Sequence, residues 1–169
     1  MLLSLANAYP VLSEPSQKRT EALKTLVSAY EAYRAGREKE GLAGVERALA
    51  LDPDLAYANI VRGEFALKEQ DWPSALRYFE RGLTLLKQPD QPLSPSKSPK
   101  ITAKEVEGNA RCFLGYVYVK LSQQANRTGR AQDEQRYLDL ANQSLRAGLA
   151  LNPGKEPREL AERLLQMFR

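Results

Sequence analysis

The chain has 169 residues, of which 43% are hydrophobic and 27% are charged, and this composition is enough for a single domain with a buried core. It contains no histidine, so the commonest general base and the commonest metal ligand are absent. The lone Cys112 excludes an internal disulfide and favours a reducing compartment. Catalytic triads and most zinc or iron sites are thereby excluded, and we predict no catalytic residue, no cofactor and no metal.

The N-terminal segment, residues 1–21, begins with twelve residues that are apolar apart from Ser4 and Asn7. These residues lack the basic region of a signal peptide, and the apolar run is too short to span a bilayer. We therefore predict a short packing helix ahead of the main fold. The alternative is that this segment occupies a groove of the protein itself or of a neighbouring copy.

One sequence unit is used repeatedly along the chain. Residues 48–53, ALALDP, recur almost letter for letter as residues 148–153, GLALNP. A repeated helix ending, within a unit of about 34 residues, predicts an array of tandem helical hairpins. The unit is clearest between residues 56 and 89.

Small and aromatic residues alternate in this unit at fixed spacings. In chain order they are Gly63, Trp72, Ala75, Phe79 and Gly82. The pattern resembles the tetratricopeptide repeat. In that family the small residues let the two helices of a hairpin approach closely, and the aromatic residues fill the space between hairpins. The resemblance implies the same roles for these five residues.

The third copy of the unit is longer than the second. In the third copy 26 positions separate Gly115 from Ala141, whereas 12 positions separate the equivalent Gly63 and Ala75. Fourteen residues are therefore added at the tip of this hairpin. Seven added residues per helix amount to about two turns, which preserves the packing face. We predict an elongated hairpin with its turn at residues 126–130.

Three further patterns predict structure in the C-terminal half of the chain. Three prolines among Ser and Lys in residues 90–101 predict an extended loop, because proline removes backbone donors and fixes φ. Thr102 followed by Glu105 forms a capping-box pattern that predicts the start of a long helix. Beyond Pro157, apolar residues at helical spacing predict a capping helix over the last hairpin.

The sequence therefore predicts an all-α fold, an α-solenoid of stacked antiparallel helical hairpins, for which the resemblance implies a right-handed superhelical array. The predicted segments are an N-terminal segment at 1–21, repeats at 22–53, 54–89 and 102–153, a Pro/Ser-rich loop at 90–101 and a capping helix at 154–169.

Function in the tetratricopeptide family resides in a concave groove lined mainly by the first helix of each hairpin. The equivalent positions here are Leu26, Tyr30, Tyr33 and Arg34 in the first repeat, Tyr57, Ile60, Glu64 and Lys68 in the second, and Asn109, Phe113, Tyr116 and Lys120 in the third. This lining is largely apolar and aromatic, and it suits an amphipathic helix or an extended peptide with bulky anchors. The alternative is that some of these aromatic residues pack against the next hairpin.

The lining does not suit a free C-terminal carboxylate. Family members that bind such a carboxylate hold it with a Lys/Asn/Arg clamp. The corresponding positions here include Leu26, Tyr30, Val61 and Phe113, which carry no such groups. The resemblance therefore implies a groove without the clamp.

The excess of positive charge lies entirely in residues 90–169, which hold 13 basic and 9 acidic residues, whereas residues 1–89 hold 12 of each. Arg127 and Arg130 form a candidate basic tip for an acidic partner or anionic lipid. Neighbouring acidic residues favour a merely solvated helix end. No aromatic residue is interleaved there to stack on bases, so nucleic acid is disfavoured.

We predict a non-enzymatic protein-interaction module that binds a peptide or helix of another protein, as an adaptor or complex-assembly factor. We expect a cytoplasmic monomer or homodimer, with indirect membrane contact if it is peripheral to a membrane complex. One alternative is a chaperone for an unstable client, similar to bacterial secretion chaperones of this repeat type. The other alternative is a structural or assembly subunit at a membrane complex.

Overall fold

The computed structural model describes residues 14–88, 91 and 102–168. The helices of these residues are α1 (Glu14–Arg34), α2 (Glu38–Leu51), α3 (Ala56–Lys68), α4 (Trp72–Leu85), α5 (Ala103–Arg127), α6 (Ala131–Ala150), α7 (Lys155–Leu165) and a 3₁₀-helix (Gln166–Phe168). The all-α prediction is confirmed. Among the helices described, none is long and apolar enough to cross a membrane.

Two predicted segments fall largely outside the described residues. They are the apolar stretch before residue 14 and the Pro/Ser-rich loop, of which only Gln91 is described. The first helix begins at Glu14, ahead of the repeat boundary predicted at residue 22. Residues 14–21 of the predicted N-terminal segment are therefore part of α1.

The helices pack as three hairpins, α1 with α2, α3 with α4 and α5 with α6. Contacts of α2 with α3 and of α4 with α5 stack the hairpins in chain order. The seventh helix lies against α5 and α6, where Ala161 is buried together with Leu145 and Cys112. This arrangement confirms the array of three hairpins with a C-terminal capping helix that the tetratricopeptide resemblance implies.

Glycines stand where the two helices of a hairpin cross. A methyl group on Gly82 of α4 would lie 2.6 Å from Ile60 Cγ1. A methyl group on Gly148 of α6 would lie 2.7 Å from Cys112 Sγ and 2.9 Å from the carbonyl oxygen of Gly108. Carbon atoms pack best at about 3.5–4.0 Å, so no side chain fits at either point without displacing the partner helix. These glycines set the closest approach within each hairpin.

Capping residues mark where two helices begin and one ends. The backbone N–H of Ser74 donates to Asp71 Oδ1 at 3.1 Å, and that of Glu105 donates to Thr102 Oγ1 at 3.1 Å. The second bond is the one that the capping-box pattern predicts. After α1 the chain turns through Gly36, whose φ of +79° lies in the left-handed region that favours glycine.

The elongation of the third hairpin matches the spacing in the sequence. The fifth helix continues seven residues further past Gly115 than α3 continues past Gly63. The sixth helix begins seven residues further ahead of Ala141 than α4 begins ahead of Ala75. The turn between them lies at residues 128–130, within the predicted range. The added length is thus shared equally, which keeps the same helix faces in contact.

The C-terminal end of the described chain borders the added turns of the third hairpin. Ala125 of α5 is fully buried. Ser122 and Leu138, one on each helix of the hairpin, line a cleft of about 350 Å³ together with Met167 and Phe168 of the 3₁₀-helix.

Aromatic rings fill the junction between the second and third hairpins. The Trp72 and Tyr116 rings meet edge to face, with centroids 5.9 Å apart. The Phe79 and Phe113 rings stack, with centroids 6.2 Å apart. Such pairs add to the burial energy and fix the orientation of the rings. The role that the resemblance implies for Trp72 and Phe79 is therefore confirmed.

We predict that Gly148→Val lowers the free energy of unfolding by about 3 kcal/mol, the upper end of the usual cost of overpacking, because backbone atoms are among the neighbours. Ala150→Val introduces the same side chain at an exposed position of the same helix. It should cost less than about 0.7 kcal/mol, which is the helix-propensity difference alone. Urea denaturation of both variants measures the contrast. Equal losses would show that the crossing point tolerates a side chain.

Candidate protein-binding site

Four of the predicted groove residues converge on one small cavity between α1 and α3. The cavity is lined by Tyr30 and Tyr33 from α1 and by Val61, Glu64, Phe65 and Lys68 from α3. We call this cavity the tyrosine slot. Its volume of about 20 Å³ holds about one water molecule. The slot therefore admits the tip of a side chain and no larger group.

An aromatic pair forms the wall of the slot that joins the first two hairpins. The ring of Tyr33 meets the ring of Phe65 edge to face, with centroids 5.2 Å apart and an interplanar angle of 70°. Phe65 is buried and Tyr33 is partly buried. Since both rings are held by packing, this wall is largely formed before any partner binds.

Lys68, at the end of α3, is already engaged with the first hairpin. Its Nζ atom lies 2.7 Å from Glu38 Oε1 and 4.5 Å from the centroid of the Tyr33 ring. The hydrogen bond to Glu38 and, to a smaller extent, one to Tyr33 raise the pKa of Lys68 above its ordinary value. The positive charge of this residue is therefore partnered within the molecule.

Glu64 is the unpaired group of the slot. Its side chain is partly buried, and it forms no hydrogen bond or ion pair with any residue that the structure describes. Burial raises its pKa from the ordinary 4.5 to about 7; the charge of Glu156 on α7 adds to the rise and that of Lys68 opposes it. The carboxyl group therefore titrates near neutral pH, and it accepts no hydrogen bond from the part of the chain that the structure describes.

Tyr57 lies two turns before Glu64 on α3, at the edge of the same region. It is only 9% exposed. Burial, and next the charge of Glu64, raise the pKa of the Tyr57 phenol well above its ordinary value, with a smaller contribution from Tyr30. The phenol therefore stays protonated at neutral pH and can donate a hydrogen bond.

Two other predicted groove residues form a second cluster, at the junction of α4 and α5. Lys120 Nζ lies 5.2 Å from the Tyr116 ring centroid and 5.8 Å from the Trp72 ring centroid. All three side chains are partly buried. Cation–π contacts of this kind hold the lysine against the rings. The cluster offers an aromatic surface. The ammonium group of Lys120 is already in contact with its rings.

Other predicted groove residues lie in the core instead. Leu26 and Ile60 are 0% and 2% exposed, and Ile60 packs against Gly82 of the second helix of its hairpin. Phe113 stacks on Phe79 and so belongs mainly to the contact between hairpins. Leu26 and Ile60 have no surface to offer a partner, whereas Phe113 is only partly buried.

Asn109 and Arg34 complete the predicted set. Asn109 has a structural role, because its Oδ1 atom accepts a hydrogen bond of 2.8 Å from the backbone N–H of Gly154 and so ties α5 to the start of α7. Arg34 is exposed at the last position of α1. Its place in a binding site stays a prediction.

The candidate basic tip is partly neutralised. Arg130 lies 3.5 Å from Asp133, and its Nε atom donates to Thr128 Oγ1 at 3.0 Å. Arg127 is exposed at the end of α5. Only one of the two predicted arginines therefore lacks an acidic neighbour in the described contacts, which weakens the case for an anionic surface binding here.

A larger open cleft, of about 460 Å³, runs along the outer side of α4. Its charged groups pair with neighbours: Arg81 lies 2.7 Å from Asp54, and Glu80 accepts a hydrogen bond of 2.8 Å from the Tyr118 hydroxyl. Satisfied groups of this kind gain less from a ligand than an unpaired group does. The smaller tyrosine slot is therefore the better candidate site despite its size.

Sequence reasoning missed three residues that shape the slot, Phe65, Glu38 and Glu156. Phe65 follows Glu64 directly, and adjacent residues on a helix point about 100° apart, so their joint role depends on how α1 crosses α3. Glu38 and Glu156 belong to α2 and α7, and only tertiary packing brings them close. The one sequence feature that could have pointed to Phe65 is that α3 contains a second aromatic residue besides Tyr57.

Groups with other chemistry do not gather near the slot. Cys112 is fully buried, and burial raises the pKa of its thiol to about 11, so the thiolate is disfavoured. Within the described ranges, no cluster of three or more Cys, Asp and Glu side chains is arranged to hold a metal ion. The chemistry that the slot offers is hydrogen bonding, ion pairing and aromatic contact.

Comparison with known proteins places the fold but not the function. No family model matches the sequence, and no curated protein matches it. Among solved structures, the chain is similar to the N-terminal domain of stress-induced protein-1 (STI-1) from C. elegans, with a TM-score of 0.55 and 13% identity over 87% of this chain and 96% of that chain. That domain is a helical domain of the tetratricopeptide type. At this identity the likeness shows the fold alone.

We predict that Glu64→Gln stabilises the protein at pH 8 but not at pH 5. The folded state binds the Glu64 proton more tightly than the unfolded chain does, so the wild type loses stability as the pH rises from about 4.5 to about 7. The amide cannot titrate and escapes a loss on the order of 2 kcal/mol between pH 5 and pH 8. Thermal or urea unfolding at both pH values measures the difference.

The matched control for this measurement is Glu31→Gln, which changes an exposed carboxylate on α1. Its effect on the free energy of unfolding should be small and nearly the same at both pH values. A difference between wild type and Glu64→Gln that does not depend on pH would contradict the raised pKa of Glu64.

Proposed function

We propose that this chain is a non-enzymatic protein-interaction module that holds a segment of a partner protein against the first helices of its hairpins. The tetratricopeptide-type fold supports a protein-interaction role in general. The observation that carries the specific site is the tyrosine slot, where two tyrosines and an unpaired carboxylate meet between two hairpins. A partner bound there contacts both hairpins at once.

The side chains around the slot suit a peptide or a helix. Tyr30 and Tyr33 are partly exposed, and tyrosine offers a large contact area at a low cost in side-chain entropy. The cluster of Trp72, Tyr116 and Lys120 offers a second aromatic surface one hairpin further along. A partner segment with bulky apolar residues has anchors on both surfaces.

The charge of the slot argues against a free C-terminal carboxylate as the ligand. Such a group would meet the like charge of Glu64 and, beyond it, that of Glu156. The one lysine at the slot is already paired with Glu38. Repulsion between like charges disfavours the binding of a carboxylate. This supports an internal segment of the partner rather than its C-terminus.

Adaptor or complex-assembly factor is the cellular role that we favour, because a small site with two held tyrosines suits recognition of one defined segment. A chaperone for an unstable client is the alternative, and its client should be insoluble when it is made alone. A structural subunit at a membrane complex would require the tip near Arg127 to bind, and the Arg130–Asp133 contact weakens that role.

The test is affinity capture from the native host with the wild type, with Tyr30→Ala/Glu64→Gln, and with Tyr78→Ala/Glu31→Gln. The control variant also removes one tyrosine and one carboxylate, from positions on α4 and α1 that do not line the slot. We expect a partner that the wild type and the control retain and that the slot variant loses at least tenfold.

Thermal unfolding of all three proteins must first show equal folded fractions at the capture temperature. A partner that all three proteins retain equally would move the binding surface away from the slot. Loss of the partner from the Tyr78→Ala/Glu31→Gln control alone would move it to the α4 side of the second hairpin.

A further inference from the structure

The tyrosine slot contains a carboxylate that lacks its usual helical partner. Glu64 and Lys68 are four residues apart on α3, a spacing at which Glu and Lys commonly pair on a helix surface. Lys68 instead reaches Glu38 of the first hairpin and lies over the Tyr33 ring. The stacking of the hairpins therefore directs Lys68 to Glu38, and Glu64 is left without an ion pair among the described residues.

A second carboxylate strengthens the local negative charge. Glu156, near the start of α7, is close enough to Glu64 to disfavour its ionisation. Like Glu64, it forms no hydrogen bond or ion pair among the residues that the structure describes. A cation placed at Glu64 relieves this repulsion in addition to forming its own ion pair. Because Glu38 neutralises Lys68, these two carboxylates make the slot locally acidic in a chain whose net charge is +4.

The size and the walls of the slot narrow the choice of cation. Its volume of about 20 Å³ matches a compact ammonium group better than the larger planar guanidinium group of arginine. Tyr30 lines the slot without stacking on any other described ring. Its face can therefore take the methylene stem of a lysine, as aromatic rings commonly do.

We infer that the slot recognises one lysine of the partner segment, with the ammonium group paired to Glu64 and the methylene stem lying on Tyr30. This inference rests on the proposed function, since it specifies the segment that the groove binds. The recognised segment is a lysine flanked by apolar residues, which reach the neighbouring aromatic surfaces. Charge complementarity at Glu64 selects this segment over a neutral or acidic one.

The test begins with a phage-displayed random dodecapeptide library, selected at pH 7.5 on immobilised wild type, Glu64→Gln and Glu31→Gln. We expect lysine to be enriched at one position among apolar residues on the wild type and on Glu31→Gln, but not on Glu64→Gln. The best peptide is then synthesised with lysine, arginine or norleucine at that position. Isothermal titration calorimetry measures each affinity.

Norleucine should weaken binding to the wild type at least tenfold, because it keeps the stem and removes the charge. Arginine should bind less tightly than lysine because of its larger head group. Glu64→Gln should bind the lysine and norleucine peptides about equally. This loss of discrimination distinguishes an ion pair at Glu64 from a general effect on the groove.

The pH dependence provides an independent readout. Ionised Glu64 rises from about one tenth to about nine tenths of molecules between pH 6 and pH 8, so affinity for the lysine peptide should rise about tenfold. The other charged or titratable groups around Glu64 are Lys68 and Tyr57 on α3, Tyr30 and Tyr33 on α1 and Glu156 on α7. Glu64→Gln should show a flat profile.

Each contrary result has a defined meaning. Enriched peptides that lack a basic residue, yet lose affinity for Tyr30→Ala, would overturn the lysine inference and leave the groove function standing. A lysine preference that persists in Glu64→Gln would also overturn the inference, because the cation would then bind elsewhere. No enrichment on any of the three proteins would count against both the inference and the proposed function.

Discussion

The separation of the two helices in each hairpin depends on a crossing point that has no room for a side chain. In the first hairpin Gly44 meets Ala29, and in the third Gly148 meets the backbone of Gly108. Because the helices touch through backbone and small side chains, their larger apolar residues interdigitate on either side of the crossing. The crossings also determine where the outer faces of α1 and α3 lie. The meeting of Tyr30 with Glu64 is therefore a consequence of packing inside the hairpins.

The electrostatics of the slot follow from the stacking of these hairpins. Lys68 gains a hydrogen bond to Glu38 and a contact with Tyr33, and both would be lost if it turned to Glu64. A partly buried carboxylate without a partner is costly to keep ionised, and proteins commonly carry such a cost where a ligand offsets it. The pKa of Glu64, which burial raises to about 7, reflects that cost. Glu64 thus affects both the stability of the fold and the binding of a ligand.

The parts of the structure that could be predicted are those that follow from local spacing. The interval from Gly115 to Ala141 predicted both the turn and the seven residues added to each helix. The groove was only half predictable, because a repeat pattern gives a residue's position on a helix but not its neighbours. Ile60 was assigned to the surface, yet the bare backbone of Gly82 leaves a recess that its side chain fills. The surroundings of Glu64 depend on the packing of α1, α2 and α7 together, and no local sequence pattern predicts that packing.

The lengthened third hairpin makes cooperativity uneven along the array. In repeat proteins each unit is stabilised by its own hairpin and by its immediate neighbours. The third hairpin has longer helices and is covered by α7, whereas the first hairpin packs mainly against the second among the described residues. Sub-global opening should therefore require the least free energy at the first hairpin, and such opening would take apart the slot while the third hairpin stays folded. Binding at the slot is then thermodynamically linked to folding of the first hairpin. A bound partner therefore also stabilises the weaker end of the array against local unfolding.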